Sequence, residues 1–268
     1  MLVLIRGGGD LASGIAVRLY RAGFQVLIVE LPLPLVIRRS VSFAEAVPEG
    51  SAQVEGLTGQ LVNDIAQIKE SFTLGQIPVL IDPDLTCLKE LNPEVIVDAR
   101  MLKDAPGEGK GLASLVIGLG PGFNAGANCH AVIETNRGHD LGRVIWEGEP
   151  EPNTGIPGVI YGVGKERVLR APASGVIQAK TIIGDRLKKA DLIAEIEGQK
   201  ITAPFDGTLR GLLRDGTQVE QGMKIGDIDP RDDPSLCTRV SDKSRSIAGG
   251  VLEAILACPD LRSGLWIS

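Results

Sequence analysis

Short apolar runs alternate with amphipathic stretches through the first half of the chain, and a quicker rhythm fills the second. Leu2-Val3-Leu4-Ile5 is continuously apolar, the pattern of a strand buried on both faces. Ile15, Val17, Leu19 and Tyr20 then fall at helical spacing up to Ala22-Gly23, and Val26-Leu27-Ile28-Val29 makes a second buried strand ending on Glu30. Leu31-Pro32-Leu33-Pro34-Leu35 is no central strand, because proline offers no ladder donor, and Val36 to Ala46 reads as a short helix or an irregular crossover. Further strands are expected around Ala52, Val54 and Leu57, at Ile77–Ile81, at Val95–Val97 and at Leu115–Leu119. Helices are expected through Leu61, Ile65 and Ile68 and from Leu85 to Leu91. This alternation predicts an α/β fold over residues 1–150, a Rossmann-like, doubly wound and mostly parallel sheet.

The rhythm changes after Leu119. Ala131-Val132-Ile133 and Val144-Ile145-Trp146 read as a hairpin around the polar connection Asn136–Asp140. Prolines and glycines crowd the stretch from Glu147 to Gly158 and mark a linker over 151–167. From Val168 the chain repeats itself. Ala171-Pro172-Ala173-Ser174-Gly175 recurs 32 positions on as Ala203-Pro204-Phe205-Asp206-Gly207, and Gly184, Leu187, Ile193 and Ile196 recur as Gly216, Val219, Ile225 and Ile228. Neither half can bury its apolar face alone, so residues 168–230 are expected to form a small all-β domain of two interlocked repeats. In the tail, 231–268, Ile247, Val251, Leu252, Ile255 and Leu256 lie at helical spacing and Cys258-Pro259 stops them, which predicts a C-terminal helix packed on the body. Gly249-Gly250 inside that helix costs stability relative to alanine and implies close packing.

Composition narrows the function. The 268 residues are 43% hydrophobic but 3% aromatic, with 34 glycines, so the core is aliphatic and tightly turned. A formal net charge of −6 argues against a nucleic-acid partner, which needs a basic face. Cys87, Cys129, Cys237 and Cys258 have no paired spacing and read as reduced thiols. Met1–Ile5 is too short for a secretory apolar region, and the run from Val26 to Ile37 is broken by Glu30, Pro32 and Pro34; no membrane partner and a cytoplasmic location are expected.

The candidate chemistry begins at Gly7-Gly8-Gly9-Asp10-Leu11-Ala12-Ser13. Spaced G-x-G-x-x-A between a strand and a helix, it can cradle a pyrophosphate: Gly7 makes the turn, Gly9 lets the backbone approach, and Ala12 lets the helix pack. Glu30, 23 residues beyond Gly7, stands where an acid meets a ribose hydroxyl. Ligands of such sheets sit beyond the carboxyl ends of the strands, which adds Asp82, the stretch Asp98–Lys103 with Asp98, Arg100 and Lys103, and the loop Gly118–Asn124 with Gly120 and Gly122. Arg38 and Arg39 read as solvated charge, with a phosphate contact as the alternative. Both histidines, His130 and His139, fall between Gly118 and Arg143 with Cys129 and Arg137. His130, Arg137 and His139 gripping an anion, Cys129 as a reactive thiol, and plain hairpin polarity all remain open. A metal site is not expected, because Cys129 and His130 are adjacent and point apart in a strand.

The A-P-x-x-G repeats resemble the biotinyl/lipoyl barrel-sandwich hybrid. In that family a modified lysine sits on a protruding hairpin flanked by methionines. Here Ile196–Thr202 is shorter and carries none, so no biotin or lipoate is expected on Lys200. The glycine loop, the stretch from Gly118-Leu119-Gly120-Pro121-Gly122-Phe123 through His130–Thr135 to Arg137–Arg143, and the repeats together resemble the accessory proteins of the selenium-dependent molybdenum hydroxylase system, the YqeB-like family. The glycine-loop part is similar to the XdhC-like accessory proteins. The resemblance implies a maturation factor that binds a molybdopterin dinucleotide-type cofactor, or NAD(P), and works with a molybdenum hydroxylase or its maturation machinery. It implies no catalytic residue in this sequence and leaves the oligomeric state open. The alternatives are an NAD(P)-dependent oxidoreductase, against which Tyr20 and Tyr161 lack a lysine in helical register, and a non-catalytic docking scaffold.

Overall fold

The computed structural model describes residues 1–102, 107, 109–152, 155 and 158–264. The chain divides into two compact units that are not contiguous in sequence. One comprises Met1–Pro34, Ser42–Asn153 and Val240–Ser268, and the other Leu35–Val41 with Thr154–Arg239.

The first unit is α/β. Its sheet contains β1 (Leu2–Arg6), β2 (Gln25–Glu30), β3 (Ser51–Val54), β4 (Leu57–Val62), β5 (Ile77–Ile81), β6 (Val95–Asp98), β7 (Leu115–Leu119), β8 (Ala131–Ile133) and β9 (Val144–Ile145). Their order is β3-β4-β5-β2-β1-β6-β7-β8-β9, parallel except for antiparallel pairs at the two edges, β3–β4 and β8–β9. The helices are α1 (Asp10–Arg21), α2 (Ala46–Glu49), α3 (Ile65–Thr73), α4 (Asp242–Ala257) and α5 (Pro259–Ser263). From β1 the chain builds first towards β2 and later towards β6, on opposite sides, so the strand order reverses at β1. In open α/β sheets a crevice for ligands lies beyond the carboxyl ends of the strands at such a reversal.

The buried runs explain the layers. Leu4, Leu27, Val29, Ile96, Val116 and Val132 share one cluster with Ile68 of α3. Helices α1 and α4 pack together, with α4 also against β7, β8 and β9. Ser244 Oγ, at 3.0 and 3.3 Å, donates to the Asp10 and Leu11 carbonyls, and a Cβ at Gly14 would come within 2.0 Å of that oxygen. The close packing expected at Gly249-Gly250 falls on Gly250, where a Cβ would lie 2.1 Å from the Gly142 carbonyl oxygen; Gly249 has only the Arg18 guanidinium, at 3.7 Å.

Several local expectations are corrected. The stretch around Ala52–Leu57 is two strands joined by a tight turn at Glu55-Gly56, with φ of 47° and 83°, values a two-residue hairpin requires. Leu61 therefore belongs to β4, and α3 starts only after Asp64, whose side chain accepts from the Gln67 N–H. The helix expected at Leu85–Leu91 is a single 3-10 turn, Thr86–Lys89, held by the Asp82 carboxylate, which accepts from the Thr86 and Cys87 N–H groups at 2.8 Å. Residues 36–46 are irregular with two 3-10 turns, Arg39–Val41 and Phe43–Glu45.

The second unit is a set of small antiparallel sheets: β10 (Val168–Arg170), β11 (Gly175–Val176), β12 (Gln178–Ala179), β13 (Arg186–Leu187), β14 (Leu192–Ile196), β15 (Gln199–Thr202), β16 (Gly207–Leu212), β17 (Gln218–Val219) and β18 (Lys224–Asp229). The two repeats exchange equivalent bonds. Ala171 N–H donates to the Met223 carbonyl and Ala203 N–H to that of Asp191; Gly175 opposes Val219 just as Gly207 opposes Leu187. Each repeat thus completes the other, around a core that includes Ile177, Ile193, Leu209, Ile225 and Ile228. Leu35–Val41 joins this unit through Ile37, whose carbonyl accepts the Leu212 N–H at 2.9 Å. Arg38 and Arg39 are structural here, donating to the Leu236, Arg239 and Leu212 carbonyls. Lys200 is exposed within β15, opposite Glu195 and one pair back from the Glu197-Gly198 turn.

Candidate functional site

The glycine turn is largely occupied by the chain itself. Gly7 turns at φ +91°, and its N–H returns to the Val29 carbonyl. The Gly8 N–H donates to Glu30 Oε2 at 2.6 Å, while Glu30 Oε1 accepts from the Leu31 N–H at 2.7 Å. Buried and twice engaged, Glu30 braces the turn instead of standing open for a ribose hydroxyl. The Gly8 carbonyl accepts from the Ala44 N–H and from Ser13 Oγ, which in turn accepts from the Phe43 N–H. A Cβ at Gly8 would sit 2.8 Å from Ala44 N, so this glycine is required by a neighbouring segment of the same chain. Gly9 caps α1, no side chain caps that helix end, and Asp10 is its first residue. Leu11 is half-buried, and Ala12 and Ser13 are buried against the body.

One residue over, the strand ends make a different site. Arg6 and Asp98 are the last residues of β1 and β6 and are partners in register. The Asp98 side chain is 5% exposed. It accepts from Arg100 Nε at 2.9 Å, Arg100 Nη2 at 2.6 Å and Arg6 Nη1 at 3.3 Å. Two guanidinium groups therefore share the one buried Asp98 carboxylate, and the charge of Asp82 also reaches Arg6. A guanidinium carries five N–H donors, and among the described residues Asp98 is the acceptor Arg6 reaches. Burial lowers the Arg6 pKa, Asp98 and Asp82 oppose that shift, and the neighbouring Arg100 adds to it. The pair opens on a cavity of about 260 Å³ whose other walls include Ile96, Leu112, Val116, Phe123 and the Asn128 side chain. The Gly7 turn abuts it, since a Cβ at Gly7 would lie 3.6 Å from Arg100 Cα and Cγ.

Among the described residues, the remaining expected ones do not line this cavity. His130 Nδ1 accepts the Val116 N–H at 2.9 Å, and burial with Lys110 nearby lowers the ring's pKa, so His130 is a neutral structural acceptor and not an anion grip. Cys129 is fully buried and burial pushes its thiol up to about 11, which contradicts a reactive thiolate. Arg137 makes a two-pronged bond to Asp242 at 2.8 and 2.9 Å and so clamps α4. His139 is exposed in the β8–β9 connection. Gly120 (φ +68°) lies so close to Thr135 that a Cβ would meet its Oγ1 at 2.4 Å, and the Gly122 carbonyl accepts from Asn128 Nδ2; both shape the loop. Lys103 lies outside the described residues. Among the described residues no three His, Cys, Asp or Glu side chains converge as metal ligands, and no helix is long and apolar enough to cross a membrane. Arg6 is the residue that sequence reasoning missed. Its signal was a charge closing an apolar strand directly before the glycine turn.

The chain is 51% identical over 255 residues, 95% of its length, to the uncharacterized protein YqeB of Escherichia coli strain K12. That identity supports a YqeB-like family. The chain spans 47% of the length of this relative. No protein-family model matches it. Solved structures with partial likeness include an aspartoacylase family protein of Mesorhizobium loti, 11% identical with a TM-score of 0.25 over 81% of this chain and 60% of that one. Another is the ectoine utilization protein EutE (DoeB) of Ruegeria pomeroyi, 10% identical with a TM-score of 0.26 over 84% of this chain and 85% of that one. At these values neither carries an argument about fold or activity.

Proposed function

We propose that this YqeB-like chain is an accessory factor in the maturation of a selenium-dependent molybdenum hydroxylase. In this reading it binds a nucleotide-bearing cofactor of the molybdopterin dinucleotide type at the carboxyl rim of a Rossmann-like sheet, in the cytoplasm. The observation that carries the reading is the donor-rich cavity of Arg6, Asp98 and Arg100, placed where the strand order reverses and beside the Gly7 turn. Such a site favours an anionic, acceptor-rich ligand. The cofactor class and the partner, a molybdenum hydroxylase or its maturation machinery, come from the sequence resemblance. The interlocked repeats, read as a barrel-sandwich hybrid, would dock that partner.

Thermal unfolding against NAD, NADP, FAD, CDP, ATP and molybdopterin cytosine dinucleotide tests this. A ligand at about 100 times its dissociation constant stabilises the fold by about 2.7 kcal/mol, a readable shift. Stabilisation by the cytosine compounds is the expected result. A shift confined to NAD or NADP would replace the reading with an oxidoreductase, and no shift with any ligand would leave a scaffold.

A further inference from the structure

We propose that the pyrophosphate of the ligand is received by Arg6 and Arg100 in the β1–β6 crevice and not by the glycine turn. This deepens the cofactor reading and rests on it only for the remainder of the ligand. The turn offers an anion less than its glycines suggest: its Gly8 N–H is already held at 2.6 Å by the Glu30 carboxylate, whose charge faces any phosphate that would replace it, and the uncapped start of α1 carries the Asp10 carboxylate. The Gly8 carbonyl side is closed by Ala44 and Ser13. The crevice has the opposite character. Arg6 spends one of its donors on Asp98, and Arg100 spends Nε and Nη2 on the same carboxylate.

Asp98 is a positioning residue. Its oxygens are consumed in fixing both guanidinium planes, so it presents no acceptor to the ligand. Arginine suits this task because its planar fork meets two phosphoryl oxygens at once. Ile96, Leu112, Val116 and Phe123 supply apolar walls that limit competing water. The volume, about 260 Å³, lies below the roughly 300–1,000 Å³ of pockets that enclose a whole small-molecule ligand, so it suits the pyrophosphate with the groups on either side of it left outside.

The test titrates the full chain with inorganic pyrophosphate, and separately with CDP and molybdopterin cytosine dinucleotide, by calorimetry and thermal shift. Arg6→Gln and Arg100→Gln are each expected to weaken pyrophosphate binding at least about tenfold, the value of a lost charge-assisted bond, whereas Glu30→Gln leaves it unchanged. Arg6→Lys keeps the charge on Asp98 and loses the fork; it is expected to bind pyrophosphate several-fold more weakly than the parent at an unaltered Tm, which carries the test if Arg6→Gln does not fold. Pyrophosphate binding that depends on Arg6 without any nucleotide binding upholds this site and removes the cofactor reading. A nucleotide that binds the parent and the Arg6 and Arg100 variants equally overturns this site and leaves the cofactor reading standing. Pyrophosphate binding that tightens in Glu30→Gln and is unchanged in the Arg6 and Arg100 variants would return the phosphate to the glycine turn, and no pyrophosphate binding by the parent overturns the proposal outright.

Discussion

His130 and the cysteines show how burial overrides residue type. The ring of His130 accepts a backbone N–H and its pKa is lowered from the usual 6.5. Above pH 6.5 the ring is neutral in both folded and unfolded chains, so the contact's stability is fully present. As pH falls below 6.5 the unfolded chain takes up the proton first and stability is lost towards the lowered folded value. Denaturant unfolding between pH 8 and pH 5 should show a steeper loss for the native protein than for His130→Gln; equal slopes would refute the assignment. The thiols follow the same physics. Burial pushes Cys87 up to about 12 and Cys129 up to about 11, and Cys237 is also buried. Iodoacetamide at pH 8 should therefore label Cys258, the half-buried one, well before the others, with all four labelled in denaturant, as read by mass spectrometry. Native labelling of Cys129 would restore the reactive-thiol reading.

At the scale of elements, adjacent residues of α4 make opposite predictions. A Cβ at Gly249 would meet only the Arg18 guanidinium, at an ordinary contact distance of 3.7 Å, so Gly249→Ala should gain helix propensity and raise stability by about 0.5–1 kcal/mol. Gly250 sits on the Gly142 backbone, which cannot rotate away, so Gly250→Ala should cost about 1–3 kcal/mol through overpacking. Urea midpoints of the two variants, moving in opposite directions, are the check. The sequence showed that this helix exists and that it packs closely, but not which glycine carries the contact. The same limit explains β3 and β4. Their apolar positions around Val54 and Leu57 were legible, yet the Glu55-Gly56 turn contains no proline or Asn-Gly signal, and Leu61 fits a strand and a helix equally well.

For the whole molecule, the decisive feature is chain routing. Leu35–Val41 belongs with residues from the far half of the sequence, where the Ile37 carbonyl takes the Leu212 N–H. A fragment of residues 158–239 lacks that acceptor. Hydrogen exchange at the Leu212 amide should be markedly faster in the fragment than in the full chain, and fusing residues 35–41 back should restore protection. Protection unchanged in the fragment would show the strap to be dispensable. The sequence could not reveal this, because a short irregular segment after two prolines carries no periodicity that points to its partner.

Pattern alone determined the α/β character of the first unit, the runs that become β1, β2, β5, β6 and β7, the paired repeats and the terminal helix. Burial is written into apolar spacing, and a repeat that cannot bury its face alone implies a second copy. Tertiary structure decided which polar residues are spent and which are offered. Glu30, His130 and Arg137 have the right chemistry for a ligand, yet each is committed to the chain's own N–H groups or charges. Arg6 gains its meaning only from register: pairing with Asp98 at the strand ends places a half-buried cation with spare donors at the point where the sheet reverses direction. No local pattern encodes that meeting of residues 92 positions apart, because it is fixed by which strands become neighbours.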